Sequence, residues 1–565
     1  MFCKRLLTAS LMLSCLLAVG CGGGGGGGDG GGADALPPAP QPPGPEQLDS
    51  ASRLTARGTL GMPFADIEAI AATGEEAWLE RQFALPVGSH QAVVDELQGR
   101  LAAGELVELE RQFGDPRFLF RRLAWWQQAI TAPDVLRQRI ALALSEILVV
   151  SDRVDDLAAD PYALSNYYDT LLEHAFGNYR DLLRAVTLHP AMGIYLSHIN
   201  NAPADPQNNT YPDENYAREV MQLFTIGLFE LNPDGSEKLD AAGDPVPTYD
   251  SDDIREFARV FTGLSFDGPN ARFWGREPEF RRPMRMFDAY HDSAEKVLLN
   301  GVTLPAGQGG LQDVDAAIDN LFHHPNVGPF IGRQLIQRLV TSNPSPAYVA
   351  RVAAAFNGDE GGSRGDMRAL IRAILLDPEA RAAPGTDPEF GKLREPLLRV
   401  TALLRQFHAA SPDGFYANTG YYLEELLLQH PLSSPSVFNF FLPAHSPVGE
   451  IADAGLVAPE FQITNSNTVV GVSNVADLVL LGEVVNDLDI PPFQGATLDL
   501  GEYLALAEDI GQLLDRLDRV MTYGTLQPAT REVIEQILPQ IDDLAFRVQA
   551  AIYLIFVSPD YAVQL

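Results

Sequence analysis

The segment LRQRIALALSEIL, residues 136–148, carries the pattern that decides the fold. Leu136, Ile140, Leu144 and Leu148 recur every four residues, which places them on one face of an α-helix. The same apolar spacing returns in residues 349–356 and 367–375, while sustained strand alternation is scarce. The sequence therefore predicts a mainly α protein, with a large multi-helix globular body and small β-hairpin additions.

Two local patterns refine this prediction. Within residues 228–249, the tetrapeptide Asn232-Pro233-Asp234-Gly235 is typical of a hairpin turn, in which glycine takes the left-handed position. The pair Trp125-Trp126 lies in a helical pattern. We expect it to pack in the core, with carbohydrate stacking as the alternative.

The first residues of the chain have the pattern of an export signal. Lys4 and Arg5 precede a short apolar run at residues 6–19, which predicts a signal peptide over residues 1–20. Residues 16–21, LLAVGC, resemble the lipobox of bacterial lipoproteins, in which the chain is cut before the cysteine and the cysteine is acylated. Cys21 is therefore the expected site of lipid attachment, including palmitate. An ordinary secretory signal cut nearby is the alternative.

A flexible segment follows this cysteine. Residues 21–47 are rich in glycine and proline, which predicts a lipidated tether, and residues 48–565 are expected to form a single large helical body. Cleavage before Cys21 would remove the other two cysteines and leave no disulfide. The expected partner is a lipid bilayer. Since glycine follows Cys21, we expect the outer membrane, facing the periplasm or the cell surface.

The overall charge excludes one class of partner. The formal net charge of −35 repels nucleic-acid phosphates, so no nucleic-acid partner is expected. The sequence has no phosphate loop, no dinucleotide glycine fingerprint, no HExxH and no GxSxG. No nucleotide or flavin cofactor is therefore predicted.

The densest group of polar residues lies in segment 213–222. Asn215, Arg218, Glu219 and Gln222 occur at i, i+3, i+4 and i+7, so they form one stripe along a helix. Exposed stripes are usually made of Lys and Glu. This stripe is either a buried network that fixes helix packing or a catalytic or binding surface.

A second polar segment covers residues 291–296. His291, Asp292 and Lys296 are its candidate functional residues, and His291 with Glu295 has a spacing that two metal ligands on a helix could share. A second histidine is missing, so the metal signal is weak and the identity of any metal stays open. We expect the two polar segments to face one cleft, with packing roles as the alternative.

These motifs carry a family resemblance. The run DENYAREVMQLFTIGLFELNPDGS, then PTYDSDDIREFARVFTGLSF and HDSAEKVLLNG, resembles the bacterial domain of unknown function 1800 family, and the resemblance extends over residues 50–565. It implies export and a partner from a second exported family that looks like sulfatases, but no particular reaction. Residues 429–437 resemble the family's glycine-glutamine-proline stretch without its glycine.

Two functions follow as expectations. The first is a membrane-tethered exported lipoprotein, of the exported and lipoprotein type within the family, that binds or assembles with an exported partner. The second is an exported hydrolase with a polar site formed by segments 213–222 and 291–296. Convergence of both segments on one open pocket would favour the enzyme, whereas buried and mutually satisfied polar groups would favour the binding protein.

Overall fold

The computed structural model describes residues 42–275, 277–359, 361–416, 426–480 and 496–565. The predicted signal peptide, Cys21 and most of the predicted tether lie outside the described residues. The first described helix is Pro45–Gly58, so residues 45–47, assigned to the tether from sequence, belong to this helix. Pro45 suits the start because its fixed φ is already helical.

Helices dominate the described part of the chain, which holds 25 α-helices. Within it, no helix is both long and apolar enough to span a bilayer. The helices are Pro45–Gly58, Phe64–Thr73, Glu75–Ala84, His90–Ala102, Val107–Phe113, Arg117–Thr131, Val135–Ser145, Asp155–Ala159, Pro161–His174, Tyr179–Thr187, Pro190–Tyr195, Asn215–Gln222, Ser251–Val260, Gly310–Phe322, Val327–Leu339, Pro346–Asn357, Met367–Leu375, Pro396–Gln406, Glu450–Asp453, Ser466–Leu480, Gly501–Leu504, Ile510–Leu517, Pro528–Ile537, Leu544–Phe556 and Pro559–Ala562.

Strands are few and short. Three antiparallel pairs are described, namely Leu264–Ser265 with Arg285–Met286, Lys296–Val297 with Thr303–Leu304, and Lys392–Leu393 with Val563–Gln564. Short 3₁₀ turns occupy Asp288–Tyr290, Leu299–Gly301, Pro459–Ile463 and Leu538–Gln540, and a π-helical turn covers Asp518–Thr522. This composition confirms the prediction of a mainly α fold with small β additions.

The helix Val135–Ser145 lies at the centre of the core. The sequence pattern predicts one buried face, but every residue of this helix is buried, including Arg137, Gln138 and Arg139. The reason is that the helices Pro45–Gly58, Pro161–His174 and Val327–Leu339 all pack against it. A helix surrounded in this way must provide internal partners for its polar side chains.

The local predictions hold. Gly235 has φ +78° and donates its N–H to the Asn232 carbonyl at 2.9 Å, which closes the predicted turn. Isolated bridges such as Phe229 with Pro247 pair the arms of the 228–249 hairpin in place of continuous strands. Trp125 and Trp126 are both buried, edge to face at 5.1 Å between ring centres, as expected for core packing.

Candidate functional site

The predicted polar stripe lies along the short helix Asn215–Gln222, whose apolar side is anchored by Tyr216 and Val220 in the core. Asn215 is exposed, and the Arg218 side chain is 44% exposed. Arg218 pairs with Glu214, with Nη2 and Oε2 3.5 Å apart. The stripe is therefore not a buried arginine–carboxylate network. It lies at the surface, and an exposed pair of this kind adds little stability.

Glu219 is the unusual member of the stripe. Its Oε2 is removed from solvent and accepts no hydrogen bond within the described residues. Burial raises the pKa of Glu219, although the Arg218 charge opposes the shift. Burial raises the pKa of Tyr195 to about 12. A hydrogen bond with Ser434 opposes this shift, and the charge of Glu219 adds to it.

The end of the stripe contacts the hairpin. Tyr249 donates its hydroxyl proton to Gln222 Oε1 at 3.1 Å. Tyr249 follows the second arm of the hairpin and directly precedes Asp250, which caps the next helix, Ser251–Val260. This contact fixes the position of Gln222 at the end of the stripe.

His291 belongs to a different network. Its Nδ1 lies 3.0 Å from the Thr262 carbonyl oxygen, and its Nε2 lies 3.0 Å from Asp313 Oδ2. The imidazole is buried and held from both sides. Asp313, in the first turn of the helix Gly310–Phe322, is the centre of this network and was not predicted from the sequence. The sequence feature that could have identified Asp313 is its spacing, four and eight residues before the apolar Ala317 and Leu321, which places it on the same helix face.

Lys296 is satisfied by the same carboxylate. Its Nζ lies 2.7 Å from Asp313 Oδ2 and 3.1 Å from the Ala294 carbonyl oxygen, and it also donates to the Asp292 carbonyl. Gln308 donates to the other oxygen of Asp313 at 2.8 Å. Three acceptors use the three N–H donors of the ammonium group, which is the arrangement of a structural buried lysine.

Asp292 faces a neighbouring helix. Its Oδ2 accepts from Arg259 Nε at 2.8 Å, and this hydrogen bond and the Arg259 charge lower the pKa of Asp292 against the effect of burial. Among the described residues, no hydrogen bond or ion pair joins segment 213–222 to segment 291–296. The structure thus gives the two predicted polar segments separate networks, and it offers no evidence for the expected shared cleft.

The described residues also contain no group of three or more His, Cys, Asp or Glu side chains arranged to hold a metal ion. His291 and Glu295 are not on one helix, because residues 291–295 form an extended turn before the strand Lys296–Val297. The helical spacing that suggested a shared metal is therefore not realised. Both nitrogens of His291 are already engaged by protein groups.

Sequence reasoning missed the most highly charged part of the interior. Six charged side chains, all buried, meet between the central helix and the last strand pair. We call them the buried ionic cluster: Arg139, Glu146, Arg338, Lys392, Glu395 and Glu460. Their signal in the sequence was single charged residues inside apolar runs, such as Glu146 in residues 140–150.

Specific contacts connect the cluster. Lys392 Nζ lies 2.8 Å from Glu460 Oε1 and donates to the Arg338 carbonyl at 2.7 Å. Arg338 donates to the Glu146 carbonyl at 2.9 Å, and its Nε lies 3.5 Å from Glu146 Oε2. Arg139 also donates to the Arg338 carbonyl. The three cations are therefore anchored mainly through backbone oxygens.

Two carboxyl groups in the cluster act as a pair. Burial, strengthened by the charge of Glu395, raises the pKa of Glu146 well above its usual value. Burial alone would also raise the pKa of Glu395, but the Lys392 charge and a hydrogen bond from Glu146 lower it. The opposite shifts favour a neutral carboxyl at Glu146 and an ionised carboxylate at Glu395.

The segment 429–439 covers this cluster. Gln429 donates to Glu395 Oε2 at 2.6 Å, and Ser434 and Asn439 line a small cavity beside Glu146. The cavity measures about 10 Å³, which is room for about one water molecule. The backbone of this segment is held from the other side, because its Leu432 carbonyl accepts the Asp152 N–H at 2.9 Å.

The fold and these networks define a large, mainly helical protein whose interior holds several networks of buried charged groups. The chain belongs to the family described as Protein of unknown function (DUF1800), whose model matches residues 53–563. The match confirms the family resemblance seen in the sequence. No curated protein and no solved structure matches the chain.

Proposed function

We propose that this protein is an exported lipoprotein, anchored to the outer membrane through Cys21, whose helical body binds an exported protein partner. The apolar run, the lipobox-like LLAVGC and the glycine- and proline-rich residues after it support export and anchoring. The identity of the partner rests on the family resemblance alone, which suggests an exported sulfatase-like protein.

One observation carries the binding proposal. Glu219 Oε2 is shielded from water and lacks a donor, in a surface stripe beside Asn215 and Arg218. A shielded acceptor without a donor costs about 1–3 kcal/mol. A donor from a docked partner would recover this free energy. The strongly acidic chain favours a partner that offers Lys or Arg at this position.

The hydrolase is the second candidate. The raised pKa of Glu219 supports it, because a raised pKa makes a carboxyl group better suited to act as a general acid. Against it, the other half of the proposed active site is a buried network around Asp313, and Lys296 and His291 have no free donor or acceptor there. Partner binding requires only the surface stripe.

The test compares Glu219→Gln with a matched control, Glu110→Gln, which removes the same charge from an exposed position on the helix Val107–Phe113. Each variant of the native lipoprotein is used to capture proteins from solubilised membranes. We expect Glu219→Gln to lose a protein that the wild type and the control retain. Equal capture by all three would refute the proposed surface.

A parallel assay separates the hydrolase. The same proteins are incubated with nitrophenyl esters, phosphates and sulfates, and release of nitrophenol is measured. We expect no release that depends on Glu219. Turnover by the wild type and by Glu110→Gln, abolished by Glu219→Gln, would instead establish the enzyme.

A further inference from the structure

A surface cleft lies outside both predicted polar segments, in the chain between them. The segment that leaves the strand Leu264–Ser265 folds around a cleft of about 570 Å³, lined by residues 266–272, 274–275 and 277–279. This volume is within the usual range for small-molecule sites. The segment is anchored from within, because Phe273 and Phe280 are buried and the Ser265 hydroxyl donates to the Phe273 carbonyl at 2.9 Å.

Trp274 lines the cleft and is supported by two further aromatic rings. Trp274 is 60% exposed, whereas the other three tryptophans of the chain are buried. Phe273 lies flat on Tyr290, with ring centres 4.1 Å apart and planes 10° apart. Trp274 stands edge-on to both rings, 4.5 Å from Phe273 and 6.0 Å from Tyr290. Its indole is thus held in place while its apolar surface faces water, which is typical of a binding surface.

The polar groups of the cleft are free to bind. Within the described residues, the side chains of Asp267, Arg272 and Glu277 form no hydrogen bond or ion pair with protein groups. The Glu279 carboxylate, in contrast, accepts a hydrogen bond from the backbone N–H of Arg281 at 2.9 Å. Among the described lining residues, the cleft therefore presents acceptors on the unpaired carboxylates of Asp267 and Glu277 and donors on the Arg272 guanidinium, next to an open indole.

This combination selects one ligand class. A cationic ligand would leave the donors of Arg272 unused and repelled, and an anionic ligand would face the charges of Asp267 and Glu277. A sugar hydroxyl both donates and accepts, and the C–H face of a sugar ring can lie on an indole. We propose that this cleft, the Trp274 cleft, binds an uncharged oligosaccharide. The inference is independent of partner binding at the stripe.

The test uses the mature chain with cellotriose, maltotriose and chitotriose as probes, and tetralysine and a sulfated disaccharide as charged comparators. Calorimetry measures binding, and acrylamide quenching reports the exposed Trp274. We expect at least one neutral trisaccharide to bind saturably at millimolar concentration and to protect Trp274. Binding of none of the three, or preferential binding of a charged comparator, would overturn the proposal.

Variants locate the site. Trp274→Ala should weaken trisaccharide binding by up to about tenfold, the order expected for one lost aromatic contact. Arg272→Ala should also weaken it, through lost donors. Tyr211→Ala, which removes another exposed aromatic ring, should bind like the wild type. All three positions are exposed, so unfolding curves should coincide. Unchanged binding by Trp274→Ala would place the sugar elsewhere and refute the assignment.

Discussion

At the scale of single residues, Glu146 shows how burial determines a charge state. Its pKa is raised in the folded protein above the ordinary value of 4.5, so folding must place a proton on it once the unfolded chain has lost that proton. The associated stability is fully present below about pH 4.5 and is lost as pH rises toward the folded-state pKa. A glutamine at this position would carry no such cost.

We therefore expect Glu146→Gln to gain stability over the wild type as pH rises, by up to about 1.4 kcal/mol per pH unit. Urea unfolding at about pH 5 and about pH 7 measures this difference. Glu395→Gln is the control, because the pKa of Glu395 is lowered and its charge stabilises the fold above pH 4.5. It should be destabilised most at the higher pH. The same pH trend in both variants would contradict the opposite pKa shifts of the two carboxyl groups.

The two predicted polar segments should also respond differently to mutation. Glu219→Gln should change the free energy of unfolding by less than about 1 kcal/mol, since Arg218 does not depend on this carboxylate for its pairing. Lys296→Met leaves Asp313 buried beside one partner fewer, so it should cost about 3–5 kcal/mol. Thermal and urea unfolding measure both. A large loss in Glu219→Gln would show that the stripe is structural after all.

At the scale of elements, the segment 429–439 covers the buried ionic cluster. Its backbone and the preceding residue are strained at three positions. Leu428, Leu432 and Asn439 all have φ between +55° and +63°, where L-residues other than glycine are disfavoured. Leu428 directly precedes Gln429, the first residue of the stretch that resembles the family's glycine-glutamine-proline run. Backbone strain of this kind persists only where surrounding contacts enforce it.

This position gives an element-scale prediction. Leu428 is 45% exposed, so Leu428→Gly sacrifices little burial and removes strain; we expect it to be neutral or to stabilise the protein by up to about 1 kcal/mol. Leu427→Gly, at a fully buried neighbour, should cost about 3 kcal/mol or more. Thermal unfolding compares the two. Comparable losses in both variants would show that Leu428 is held by packing rather than strained.

Elements were the part of the structure that the sequence predicted well. The helix Met367–Leu375 buries Met367, Leu370 and Ile371 as its spacing indicates, because amphipathic periodicity reports one buried face. The same periodicity could not reveal that Val135–Ser145 is buried on all sides, since that depends on three distant helices. The buried ionic cluster joins residues 139 to 460 and is invisible to local patterns. The Trp274 cleft likewise depends on how one loop folds against Tyr290.

At the scale of the whole molecule, the body and its predicted anchor are separate problems. Residues 43–565 form one compact unit with its own core, and the last strand, Val563–Gln564, pairs with Lys392–Leu393 inside that unit. Cys21 lies outside the described residues. Acyl chains on Cys21 would supply the membrane binding, at about 0.8 kcal/mol per buried CH₂ group.

Cys21→Ser should therefore abolish acylation and move the protein from the membrane pellet to the supernatant without changing its fold. Metabolic labelling with palmitate measures acylation, and a high-salt wash removes proteins held only by charge. The circular dichroism of the released body should match that of the anchored form, with helix content well above about one third. Cys15→Ser, within the predicted signal peptide, is the matched control and should leave anchoring intact. If Cys21→Ser stayed in the washed pellet, the anchor would have to lie in the body, and the lipoprotein proposal would fail while the helical fold stood.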